Sequence, residues 1–101
     1  MTENQIRDIL NELFVVTINN SPYSQVDFFN GDKKIGYVKI LIKEKRGTKK
    51  PIRQNYYLMD KFDMSGVLDY INKRIPINQG DFDILNKTIY NYCVEVINRH
   101  L

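Results

Sequence analysis

The sequence has no alanine and no tryptophan, and it has one cysteine and one histidine among 101 residues. A lone Cys93 excludes a disulfide within the chain. It fits a reducing compartment, and the expected location is the cytoplasm. Cys93 and His100 are too few for a zinc site, and no carboxylate cluster has ligand spacing, so neither a metal nor a cofactor is expected. The five glycines form no GxGxxG, P-loop or GxSxG arrangement. No apolar run approaches the ~20 residues that a membrane-spanning helix needs. The polar start Met1-Thr2-Glu3-Asn4-Gln5 does not read as a signal peptide. The missing alanine points to origin rather than chemistry. Asn, Ile and Lys supply 34 of the 101 residues, and their codons are A/T-rich. That usage fits a low-GC bacterium, its phage or its mobile elements.

What is present is enough for one core. A hydrophobic fraction of 43% and a charged fraction of 27% are ordinary for a folded chain. Residues 1–101 are expected to form a single domain. Thr2 and Gln5 fit a capping box. Ile6, Ile9, Leu10, Leu13 and Phe14 follow as one helical stripe. Val15-Val16-Thr17-Ile18 is β-branched and favours extended structure, so a short additional strand is open to it. Asn19-Asn20-Ser21-Pro22 reads as a turn. Tyr23–Phe29 reads as a strand, Asn30-Gly31 as a hairpin turn, and Ile35–Lys45 and Ile52–Met59 as two more strands.

Asp60 or Asp63 is positioned to cap a second helix, whose stripe is Met64, Val67, Leu68, Ile71 and Ile75. Pro76 stops it. Ile77-Asn78-Gln79-Gly80 connects it to a last helix over about 82–100, which Asp81 caps. The expected class is α+β, in the order α-β-β-β-α-α. Its sheet is three-stranded and antiparallel, with a short fourth strand open to Val15–Ile18 and the helices packed on one face. The last helix carries two apolar seams. One is Phe82, Leu85, Ile89, Cys93 and Val96; the other is Tyr90, Val94, Ile97 and Leu101. So wide a face implies either sandwiching within the fold or a homo-oligomeric interface.

The charge is uneven. The net charge is only +3, but residues 43–53 hold six bases and one acid. These residues are the turn region between the two longest strand patterns. If apolar faces match, Ile42 pairs with Tyr56 and Ile40 with Leu58. Lys39, Lys43, Lys45, Arg53 and Tyr57 then share the opposite face. Lys45 lies beside Arg53, Lys43 beside Asn55, Leu41 beside Tyr57 and Lys39 beside Met59. Like charges placed opposite each other are unfavourable unless an anion binds there.

Catalytic constellations are sparse. Ser21, Ser24 and Ser65 have no base beside them. Cys93 lies in an apolar seam. Asp27 or Asp32 followed by Glu44-Lys45-Arg46 resembles the Asp and E-x-K of metal-dependent nucleases. Glu44 reads more simply as an acid that eases repulsion among basic neighbours. The expected function is therefore non-catalytic binding of nucleic acid through the basic hairpin and the exposed sheet face. Lys39, Lys43, Lys45, Arg46, Lys49, Lys50 and Arg53 would meet phosphates, and Tyr57 would stack on bases. The helix–three strands–helix order is similar to that of double-stranded-RNA-binding domains. Those carry a lysine cluster where this chain has Phe62-Asp63-Met64-Ser65-Gly66. The order also resembles that of some small phage anti-CRISPR proteins, which implies the alternative: a protein that binds and inhibits a host enzyme.

Overall fold

The computed structural model describes residues 1–46 and 53–99, with the side chains of residues 45, 46, 53 and 54 left aside. Helix α1 (Glu3–Leu10) starts as its sequence directs. The Gln5 amide donates to Thr2 Oγ1, and the Thr2 amide donates to Gln5 Oε1 at 2.9 Å. The helix ends at Leu10 rather than running on to Phe14. Leu13 still reaches the core, but Phe14 is the first residue of strand β1 (Phe14–Asn20). The β-branched run that follows favours strand over helix and moves the boundary back.

Four strands form one antiparallel sheet in the order β1-β2-β3-β4, with β2 (Tyr23–Asn30), β3 (Lys33–Arg46) and β4 (Arg53–Asp63). The short run after α1 is thus a full fourth strand. Asn30 closes the β2–β3 hairpin opposite Lys33, and Gly31 supplies the positive φ of 65° that the turn needs. Helix α2 (Ser65–Arg74) follows β4, with Asp63 Oδ1 accepting from both the amide and the hydroxyl of Ser65. Those bonds hold the Asp63 carboxyl below its ordinary pKa. A 3-10 turn (Gln79–Asp81), boxed by Asn78 and Asp81, leads into α3 (Phe82–Arg99).

The register of β3 and β4 differs from the one read in the sequence. Ile42 pairs with Tyr57, Ile40 with Met59, Leu41 with Leu58 and Lys43 with Tyr56. The shift of one residue turns each β4 side chain to the other face. Its cause is visible in the strand. Tyr56-Tyr57-Leu58-Met59 is apolar at four successive positions, so alternation cannot choose between the faces. Tyr57 settles inward because its hydroxyl donates to Asn98 Oδ1 and its carbonyl accepts from Tyr90 Oη at 2.7 Å. A register shift between Lys39 and Ile40 leaves Asp60 as an extra residue, and β4 continues to Asp63 with Lys61 opposite Lys39.

One sheet face contributes Val26, Phe28, Val38 and Ile40 to the core. There they join Ile6, Ile9 and Leu10 of α1, Val67 and Ile71 of α2, and Leu85, Ile89, Cys93 and Ile97 of α3. Arg7 ties α1 to α3 with two bonds to Glu95, at 2.8 and 2.9 Å. Both seams of α3 contribute to the fold, where Cys93 and Ile97 are buried, Val94 packs against the core and Tyr90 reaches β4, while Phe82 at the start of the first seam stays 45% exposed. Leu101 lies outside the described residues.

Candidate nucleic-acid interface

Alternation along four paired strands decides which side chains share the second sheet face. In β1 they are Phe14, Val16 and Ile18; in β2, Tyr23, Gln25, Asp27 and Phe29. In β3 they are Lys34, Tyr37, Lys39, Leu41 and Lys43; in β4, Tyr56, Leu58, Lys61 and Asp63. Phe14 is 66% exposed, Ile18 48%, Tyr56 42% and Leu58 44%. These large apolar side chains lie on the two outer strands, with β2 and β3 between them, and exposed apolar surface of this kind is where a partner can dock.

Cations are interleaved with these rings. The Lys39 ammonium sits 4.6 Å from the centroid of Tyr23, and the Lys34 ammonium 5.1 Å from that of Tyr37. Lys43 lies opposite Tyr56, and Lys39 directly opposite Lys61. A like-charged cross-strand pair does exist, therefore, but between Lys39 and Lys61. The acid at the centre of the face is neutralised. Asp27 is buried, with Lys34 Nζ at 3.1 Å and Gln25 Nε2 at 2.7 Å from Oδ1. Lys39, Gln25, Tyr23 and Ile18 help to line a depression of about 150 Å³ across strands β1, β2 and β3.

The whole-chain charge follows the same division. Residues 14–64 hold ten basic and five acidic side chains, whereas the remaining residues hold five basic and seven acidic. An anion is drawn to the sheet rather than to the helices.

Of the residues singled out in the sequence, Lys39 and Lys43 lie on this face. Tyr57 does not: it faces the core side and is bonded to α3, and Tyr56 takes its position. Lys45 pairs with Gln54 and Arg46 with Arg53 in the backbone register. Lys49 and Lys50 lie outside the described residues. Phe14, Tyr23, Tyr37, Lys34 and Lys61 complete the surface. Their sequence signal was the polar–apolar alternation of each strand, but their grouping needed the register. Of the two acids in the nuclease-like pairing, Asp27 stands on the face opposite Glu44, and Asp32 lies in the β2–β3 turn at the other end of β3. Among the described residues no three of His, Cys, Asp and Glu come together to hold a metal, and no helix is long and apolar enough to cross a membrane. No protein-family model matches the sequence, nor does any curated protein or solved structure.

Proposed function

We propose that the protein is a small non-catalytic binding module that takes a single-stranded nucleic acid on the open face of its sheet, with the basic β3–β4 hairpin gripping the backbone. In this reading the helices cover the other face along β2 and β3, while Met59 and Phe62 of β4 stay exposed there. The observation that carries it is the mixture on one surface of aromatic rings, exposed at Phe14 and Tyr56 and half-buried at Tyr23 and Tyr37, with cations that lack acidic partners. Tyr23, Tyr37, Tyr56 and Phe14 offer planar stacking surfaces; Lys39, Lys43 and Lys61 offer ammonium groups. Among the described residues none of these three lysines has a carboxylate within ion-pair distance. Bases that stack on side chains must be unpaired, which favours a single strand over a duplex. Phosphates would relieve the repulsion between Lys39 and Lys61.

The test is titration of labelled single- and double-stranded oligonucleotides over a range of salt. Four to six phosphate contacts predict a log–log salt slope of roughly −3 to −4 for a single strand, at ~0.7 per contact. Duplex should bind more weakly. Absence of binding at low salt would refute the reading.

A protein partner is the second reading, favoured by the exposed aliphatic Ile18 and Leu58 on the same face. In that case the chain would act as a phage- or mobile-element-type inhibitor of a host enzyme. Binding would then be nearly insensitive to salt.

A further inference from the structure

The two edges of the sheet are unlike. The β4 edge carries Arg53, Asp60, Lys61 and Asp63 and is broken by the register shift at Asp60. Charges and bulges of this kind discourage another strand from adding on. The β1 edge has neither. Its sequence is Phe14-Val15-Val16-Thr17-Ile18-Asn19-Asn20: seven residues with no charge, no proline and no glycine. It pairs with β2 along its whole length without a shift in register, and among the described residues its other side has no strand partner.

We propose that β1 pairs antiparallel with β1 of a second copy of this chain, making one continuous eight-stranded sheet. The strand is self-complementary about Thr17. In that register Thr17 faces its own copy, Val16 faces Ile18 of the other chain, Val15 faces Asn19, and Phe14 faces Asn20. On the open face the two Val16–Ile18 pairs meet as one apolar cluster, which covers an Ile18 that is 48% exposed in the single chain. No charged side chain of β1 is brought against another. On the core face Thr17 meets its copy. Among the described residues, Thr17 Oγ1 is the one buried side-chain nitrogen or oxygen without a hydrogen-bond partner. A hydroxyl both donates and accepts, so after rotation about χ1 two such groups across a two-fold axis satisfy each other. Two-fold pairing of identical edges also closes on itself, leaving only the charged β4 edges outermost. A foreign strand would add to the same edge, but this symmetry singles out the second copy.

The experiment is sedimentation of the purified full chain without nucleic acid, from micromolar to millimolar concentration. The mass should rise from 12.0 kDa towards twice that value. The exposed substitution Ile18→Lys should return it to the monomer, with circular dichroism reporting the fold. Thr17→Cys should cross-link to its own copy under mild oxidation, whereas Ile18→Cys, which faces Val16, should cross-link far less. Cys93 is buried and does not interfere. A monomer at every concentration overturns the proposal. So does a dimer that survives Ile18→Lys, or one that Thr17→Cys does not capture, since the copies would then meet elsewhere. The result stands apart from the nucleic-acid reading, because no ligand enters the measurement.

Discussion

Tyr56 and Tyr57 are adjacent, identical in chemistry and placed on opposite faces of one strand. Replacing each in turn by leucine removes the aromatic ring and keeps apolar bulk, so the two changes separate binding from stability. Tyr56 is 42% exposed on the open face opposite Lys43. Its ring is available to stack, and such contacts are worth ~1–3 kcal/mol by truncation. Tyr56→Leu should therefore weaken single-strand binding by roughly 5-fold or more, at ~1.4 kcal/mol per tenfold, with little change in stability. Tyr57 packs against the core and donates its hydroxyl to Asn98. Tyr57→Leu should cost about 1–2 kcal/mol of stability through the lost bond and altered shape. Its affinity should stay as in the parent. Fluorescence anisotropy reads the first quantity and urea unfolding the second. If Tyr57→Leu loses affinity while keeping its stability, and Tyr56→Leu does neither, the β3–β4 register described above is wrong. The stability half of the test holds even if the ligand is not a nucleic acid.

Gly66→Ala should destabilise, although alanine is the better helix former. Its Cβ would lie 2.2 Å from the Ile35 carbonyl oxygen, a backbone atom fixed in the sheet. The cost of forced overpacking, about 1–3 kcal/mol, exceeds the ~1 kcal/mol propensity gain; a stabilised variant in thermal unfolding would contradict this. Burial pushes the Cys93 thiol up to about 12, so it should resist thiol reagents at mildly alkaline pH until denaturant is added. The Arg7 guanidinium holds Glu95 below the usual carboxylate range. A depressed folded pKa contributes stability that is present above the unfolded value and is lost as pH falls through the folded one. Because Glu95 is half exposed, Glu95→Gln should cost no more than about 1 kcal/mol at neutral pH and nothing in strong acid, as pH-dependent urea midpoints would report.

The elements were legible where local chemistry had one answer. Thr2 and Gln5 fixed the start of α1, Gly31 the β2–β3 turn, and Asp63 the approach to α2. Each acts within a few residues and needs no partner from elsewhere in the chain. Val15–Ile18 was half legible, because β-branching speaks for a strand while a strand needs β2 beside it to exist. The cationic side of β3 was also legible, since Lys39 and Lys43 alternate with Val38, Ile40 and Ile42. The β4 half of that face was not. Four apolar residues in succession give a pattern that either register satisfies, and what decides between them is remote. Asn98 and Tyr90 lie 41 and 33 residues away on α3, and they hold Tyr57 inward. The extra residue at Asp60 then restores parity, so that Lys61 arrives opposite Lys39. A surface whose make-up depends on register is therefore set by contacts made to α3. Leucine at position 57 loses the bond to Asn98 but keeps apolar bulk on the core side, which is why Tyr57→Leu is expected to lower stability and leave the rings and cations of the opposite face in register.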